Sequence, residues 1–249
     1  MTTTIVHNDK KYTIDLSKPL DISIPVKNGK ESVNAWYIDP PAIQPVTDQN
    51  WIAKVSEGAS VNFNTIRFNP HSHGTHTECL GHITETFYDV NKTLERFFFI
   101  AQLITIIPKL KEKDQMITDE LLKKQSIEFP EALIIRTLPN PEQKRSKNYS
   151  HTNWPYLTHK AMQWIVDQNI QHLLIDLPSV DKEKDKGKLA AHKTFWGYPD
   201  QLRPMATLTE LIYVDDSIED GIYILNLQVA PFQNDAAPSR PVLYKTQES

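Results

Sequence analysis

Four of the chain's nine histidines fall within twelve positions, in Asn69-Pro70-His71-Ser72-His73-Gly74-Thr75-His76-Thr77-Glu78-Cys79-Leu80-Gly81-His82, beside one carboxylate. If the backbone is extended from Gly74, then His76, Glu78 and His82 project to one face, because strand side chains alternate with a period of two. Two imidazoles and a carboxylate suit zinc, manganese or a similar divalent ion. A coordination position left open to water separates a catalytic metal from a structural one. Gly74 would let the backbone turn tightly beside the ion. Cys79 alternates to the opposite face and reads as a small buried hydrophobe rather than a nucleophile. His7, His151, His159 and His172 read as ordinary surface or half-buried residues. Ser179 has Asp176 and Asp181 nearby but sits in no Gly-x-Ser-x-Gly elbow, which argues against a serine hydrolase.

Elements able to position such a cluster are legible on both sides of it. Tyr12 to Leu16 alternates like a strand, and Ala132-Leu133-Ile134-Ile135-Arg136 has the continuous apolar run of a strand buried on both faces. Thr158 can cap a helix running through Gln168, with Ala161, Met162, Ile165 and Val166 on one face and Asn169 as a left-handed terminator. Leu173-Leu174-Ile175-Asp176 follows as another buried strand. Strand, helix, strand implies parallel pairing through a right-handed crossover. Gly221 to Val229 and Pro241 to Tyr244 add strands, so the predicted sheet is mixed. The apolar stretch Phe97 to Ile107 is too short to cross a bilayer and reads as a core helix passing into a core strand. Asn140 to Lys147 and Asp181 to Lys188 read as polar surface loops. The expectation is a single α/β domain over residues 1–249, its mixed central sheet flanked by helices.

Bulk properties narrow the function. A net charge of −4 with scattered Lys and Arg gives no basic stripe for nucleic acid, and no apolar run is long enough for a membrane span. The lone Cys79 excludes an internal disulfide framework, and the polar start Met1-Thr2-Thr3-Thr4 lacks the regions of a secretion signal. A cytoplasmic location follows as an expectation.

The motifs then resemble the cyclase-like metal hydrolases, the family that includes bacterial kynurenine formamidase and isatin hydrolase. The signature His-x-Gly-Thr-His-x-Asp-x-Pro-x-His falls on Gly74-Thr75-His76-x-Glu78-x-x-x-His82 without a gap. Asp15-Leu16-Ser17 resembles the early Asp-Leu-Ser motif, and Leu133 to Thr137 the central strand. Ile175-Asp176-x-Pro178-Ser179-Val180-Asp181 resembles the Ser-x-Asp turn, and Ala237-Pro238-Ser239-Arg240-Pro241-Val242-Leu243 the closing strand. Three departures stand out: Ser72, Glu78 and Leu80 occupy the places of histidine, aspartate and proline. Either His71 or His73 would have to replace the ligand missing at Ser72, and His71 is favoured because it follows Pro70 and precedes a flexible pair.

By resemblance the fold is of the swivelling β/β/α type, and one or two zinc or manganese ions per subunit are held by His71, His76, Glu78, His192 and Glu210. His82 would stand beside the ion as general base and then general acid, and Trp36 and Trp196 would wall an aromatic substrate pocket. The implied reaction is cleavage of an amide-type C–N bond, in a formamide or lactam, through a metal-activated water. An arylformamidase of tryptophan catabolism to kynurenine is the specific form. The substrate would be a small molecule, with neither nucleic acid nor membrane as partner and a homo-oligomer, dimer or tetramer, as the assembly. The competing reading is a non-catalytic, metal-stabilised binding or assembly module in which Ser72 records a lost ion.

Overall fold

The computed structural model describes residues 1–128 and 130–248. Its centre is a nine-stranded sheet. In chain order its strands are β1 (Leu20–Asp21), β2 (His76–Glu78), β3 (Phe98–Ile106), β4 (Ala132–Thr137), β5 (His172–Ile175), β6 (Thr207–Glu210), β7 (Gly221–Asn226), β8 (Ala236–Pro238) and β9 (Val242–Lys245). Across the sheet they run β8, β2, β6, β5, β4, β3, β7, β9, β1. The four central strands β3 to β6 are mutually parallel, and those on either side pair antiparallel. The mixed α/β single domain expected from the sequence is therefore present.

The parallel centre is apolar because both of its faces are covered. Leu133 and Ile135 of β4 point to a core shared with Leu173, Ile175 and Leu208, while Ala132 and Ile134 point to a second core with Leu174, Leu225 and Leu243. The first core is capped by α1 (His159–Asp167) and α2 (Ala190–Trp196), through Ala161, Met162, Ile165, Ala191, Phe195 and Trp196. The second is closed by the curl of the sheet itself, with Ile22, Ile212 and Val214 filling it. Helices thus pack against one face rather than two.

The helix α1 begins where the sequence places it: the Thr158 hydroxyl accepts the Ala161 N–H (3.2 Å), and Asn169 beyond its end has φ +60°. Two other expectations are corrected. Phe97 to Ile107 contains no helix; Phe98–Ile106 is one strand, its Leu103 facing one core and its Ile104 and Ile106 the other. A short apolar run has no period that separates a buried strand from a buried helix, and pairing with β4 and β7 decided the matter. The polar segments at 140–147 and 181–188 are not wholly superficial either. Asn140, Lys144, Asp181 and Glu183 are buried, because each meets a partner that only the tertiary fold supplies. Among the described residues no helix is long and apolar enough to cross a membrane.

Candidate metal centre and its cavity

Strand β2 presents His76 and Glu78 on one face, while Thr77 between them turns away to meet Thr209 (Oγ1 to Oγ1 2.8 Å). The antiparallel register sets Glu210 of β6 directly opposite His76, with His76 Nε2 3.6 Å from Glu210 Oε2. On the other side of β2, Ala236 of β8 pairs with Glu78, which carries Asp235 to the edge of the same cluster. His82 does not arrive by strand alternation as expected. After Cys79 the chain folds into a 3-10 turn, Leu80–Ile83, that swings His82 back toward Glu78, leaving Nε2 3.9 Å from Oε2. Gly81 permits that turn, since a Cβ there would lie 2.6 Å from the Tyr88 carbonyl oxygen. Gly74 has φ +97°, and a Cβ on it would lie 2.8 Å from the Ile24 oxygen, so the entry to β2 also depends on glycine.

His192 comes from the first turn of α2, whose start lies beyond the charged loop. The helix has no side-chain cap of its own, and Leu189 at its N-cap position has φ +48°. Asp181 caps it from a distance: Oδ1 accepts the Ala191 N–H (2.8 Å) and Oδ2 accepts both the His192 N–H (3.1 Å) and the ring N–H at Nδ1 (2.6 Å). Nε2 of the same ring is then left facing Glu78 Oε1 at 3.1 Å and Glu210 Oε1 at 3.8 Å.

The three positions in contest, His71, Ser72 and His73, separate cleanly. His71 faces the cluster, with Nδ1 2.9 Å from Glu78 Oε2 and Nε2 2.9 Å from Asp235 Oδ2. Ser72 is fully buried in the other direction: its hydroxyl donates to the Ala35 carbonyl (2.6 Å), has Asn34 Oδ1 at 2.9 Å, and accepts the Ala35 N–H (3.1 Å). His73 accepts the Asn69 N–H on Nδ1 (2.9 Å) and belongs to no group of converging ligand atoms among the described residues. Such groups, with atoms within 4.8 Å of one another, are His71, His76 and Glu78; His71, His82 and Asp235; and Glu78, His82 and His192.

The donor chemistry fits a divalent cation. His71, His76 and His192 each anchor one ring nitrogen on an oxygen at or beyond the cluster's edge (Asp235, the Gly74 carbonyl at 3.2 Å, and Asp181) and turn the other inward. That carboxylate- or carbonyl-backed imidazole is how proteins fix the tautomer of a metal-ligating histidine. His76 Nε2 is buried with no hydrogen-bond partner among the described residues, an orphaned atom aimed at Glu210. The electrostatics agree. Burial alone would raise Glu78, but the facing His82 and the bonds from His192 and His71 outweigh it and hold the group well below the usual carboxylate range. Burial disfavours a charged His71, yet Asp235 and Glu78 push it up to about 10, and Asp181 and Glu78 likewise raise His192 despite its burial. The cluster therefore demands positive charge, which a bound cation would provide while displacing protons.

A cavity of about 310 Å³ opens over these groups, lined by Trp36, Ile38, Asn69, His71, Glu78, His82, Ser179, Leu189, His192 and Glu210. It is mostly apolar with a convergent polar floor, as small-molecule sites are. Trp36 lies on its wall. Trp196 does not: it is fully buried, donates its indole N–H to the Ala206 carbonyl (2.9 Å), and backs His192 at 5.6 Å between ring centroids. One helical turn separates the two residues, which puts Trp196 behind the histidine rather than beside a substrate. Ser179 reaches the cavity, where its hydroxyl accepts the Asp181 N–H (3.1 Å).

Two carboxylates in this arrangement were not singled out from the sequence as site residues. Asp181 sits in the turn that marked the resemblance, so its position was visible although its task was not. Asp235 carried no local signal, since only the β8 to β2 pairing brings it to His71 and to His82, whose Nδ1 lies 3.3 Å from Oδ2.

Comparison with known proteins agrees with this fold. The chain is 24% identical over 217 residues to "Kynurenine formamidase" of Bordetella petrii, which covers 84% of this chain and 96% of that protein. Solved structures of the same fold include a predicted metal-dependent hydrolase from Bacillus stearothermophilus (TM-score 0.64, 17% identity, 91% of this chain and 98% of the other). An isatin hydrolase bound to the product analogue thioisatinate aligns with TM-score 0.64 and 16% identity over 92% of this chain and 93% of the other. Isatin hydrolase A from Labrenzia aggregata, bound to benzyl benzoate, gives 0.67 and 12% over 92% and 94%. The model of the family described as "Putative cyclase" matches residues 14–182, more than half of the chain. The chain belongs to the cyclase family.

Proposed function

We propose that this protein is a metal-dependent hydrolase of an amide-type C–N bond in a small molecule, with a formamide or lactam as substrate class. The observation that carries the reading is the set of inward-facing nitrogens of His71, His76 and His192 around Glu78 and Glu210, beneath an apolar cavity. His71, His76 and Glu78 would hold one ion, and Glu78, His192 and Glu210 would complete a second position. When bound, such an ion supplies Lewis acidity toward a carbonyl oxygen and makes water a better nucleophile at neutral pH.

The remaining work falls to side chains of the chain. Asp235 accepts the N–H of His82 Nδ1, which turns Nε2 toward the floor of the cavity. From there Nε2 takes a proton from the attacking water and returns it to the leaving nitrogen, a task suited to an imidazole because its pKa lies near working pH. Trp36, Ile38 and Leu189 exclude bulk water and offer flat apolar surface to the substrate. The likeness to the kynurenine formamidase of Bordetella petrii and the wall at Trp36 both support an aryl formamide, of the kind formed in tryptophan catabolism to kynurenine, as the first substrate to try.

The deciding experiment measures metal content by elemental analysis and turnover of formanilide, isatin and an aliphatic formamide by the wild type and His82→Ala. The expected result is bound divalent metal in both proteins and a fall of about 10²- to 10⁴-fold in kcat for the variant. Loss of metal in His82→Ala would make that residue a ligand instead. Bound metal without turnover of any amide would favour the non-catalytic module.

A further inference from the structure

Trp36 and Tyr37 are consecutive non-glycine residues with φ of +64° and +61°, a conformation that persists only when the surroundings enforce it. The enforcing contacts are specific. On one side, Ala35 is clamped through its N–H and its carbonyl by the Ser72 hydroxyl. On the other, the Tyr37 N–H donates to Ser150 Oγ (2.9 Å) and the Tyr37 phenol donates to Glu183 Oε1 (2.6 Å). Glu183 is only 9% exposed, and its two oxygens also take the backbone N–H groups of His151 and Asn153. Its carboxylate thus accepts from three donors, and the bond from a neutral phenol to a buried anion belongs to the strong class. The same bond pushes the Tyr37 hydroxyl up to about 12, so it stays a donor across the working range. Glu183 lies two residues from Asp181, the group that orients His192. Trp36 itself rests edge-on against Trp154 (5.0 Å between centroids), whose indole donates to the Asp181 carbonyl (3.0 Å).

We propose that Tyr37 and Glu183 form a latch that fixes Trp36 over the cavity at a set distance from the metal floor and so selects ring-bearing substrates. They are positioning residues, acting through Trp36 rather than on the reacting atoms. The selection for aryl amides rests on the hydrolase reading above, whereas the latch itself rests only on the contacts just named. Ser72 gains an assignment as well: at the position where the family signature has histidine, its hydroxyl anchors the other end of this loop.

The test uses the metal-loaded full chain as wild type, Tyr37→Phe and Glu183→Gln. Indole, a flat ring with no hydrolysable bond, reports binding by calorimetry. Formanilide and N-methylformamide report KM and kcat with and without a ring. Loss of the charge-assisted bond is expected to weaken indole and raise KM for formanilide by about 5- to 20-fold. Formanilide kcat and N-methylformamide kcat/KM should stay within about twofold of wild type, since the floor is untouched. Unchanged indole binding in both variants overturns the latch. So does an equal loss on both amides with lowered metal content, which would assign the contact to supporting His192. If the wild type hydrolyses neither amide while Tyr37→Phe still loses indole, the latch stands and the hydrolase reading falls; a wild type that hydrolyses both amides alike and binds no indole ends the selection by ring and leaves the hydrolase reading standing. Should Glu183→Gln fold poorly, Tyr37→Phe decides alone, because it removes one oxygen from a residue that is 48% exposed.

Discussion

Asp176 and Glu78 are both fully buried carboxylates at the ends of strands in one sheet, and they are satisfied in opposite ways. Asp176 is closed off by the chain itself: Lys144 Nζ donates to it (2.8 Å), as do the N–H (2.8 Å) and hydroxyl (2.9 Å) of Thr137. Lys144 also donates to the Thr137 carbonyl (2.7 Å) and hydroxyl (3.0 Å), so each of its three donors has a partner. Burial raises Asp176, with Lys144 working against that shift. Among the described residues Glu78 has histidines for partners, stands beside two more carboxylates, Glu210 and Asp235, and opens onto the cavity next to the unpartnered His76 Nε2. A buried charge balanced by a lysine belongs to the scaffold. One surrounded by histidine nitrogens and further anions calls for a cation from outside, and that contrast identifies the functional site more firmly than either cluster alone.

The contrast can be broken first at the scaffold. Lys144→Met leaves Asp176 buried without its counter-charge and is expected to cost about 3–5 kcal/mol of stability, measured by urea denaturation, with metal binding per folded molecule unchanged. A loss below 1 kcal/mol would show that the pair is not the internally balanced ion pair described.

A third buried polar group, His172, sharpens the comparison because it has no ion-pair partner among the described residues and does not line the cavity over the histidine cluster. Burial pushes it down to about 4, while its Nδ1 bonds Thr207 Oγ1 (2.8 Å). The folded state therefore binds the proton more weakly than the unfolded chain, whose histidine titrates near 6.5. Between those values the unfolded state holds more protons, so stability is intact above about 6.5 and falls as pH drops toward 4, by about 3 kcal/mol in all. His172→Gln, which keeps a side-chain hydrogen-bonding group, should flatten that part of the profile; an unchanged slope would assign it to other groups.

The smallest effect concerns the functional cluster. Saturation with zinc or manganese at about 100 times the dissociation constant should stabilise the wild type by about 2.7 kcal/mol. Asp181→Asn, which weakens the support of His192, should raise that constant by about 10- to 100-fold. A thermal shift on metal titration reads both, and an equal shift in the two proteins would detach Asp181 from the site.

Part of this was legible in the residues alone. Glu78 lies two residues after His76, and alternation along a strand needs nothing else to bring them to one face. The buried strands Ala132–Thr137 and His172–Ile175 and the Thr158-capped helix follow from local patterns of apolarity and capping, which is why they fall where expected. The strand at Phe98–Ile106 and the orientation of Trp196 were misread for one reason: apolar side chains are compatible with several neighbours, and the neighbour was not in the local sequence. His82 comes to the cluster through a turn whose course depends on a glycine packed against the Tyr88 carbonyl.

What the sequence by itself determined is the identity of the donors and the short-range spacing of His76 and Glu78, because side-chain chemistry and backbone period are local properties. Which of His71, Ser72 and His73 faces the floor, and the recruitment of Asp181 and Asp235 to hold the histidines, were decided by the tertiary structure. Those partners are distant in sequence: Asp181 reaches Glu78 through the histidine it orients, and Asp235 arrives by strand pairing. Hydrogen-bond geometry of that kind exists only once the sheet has assembled its register, and no local pattern encodes it.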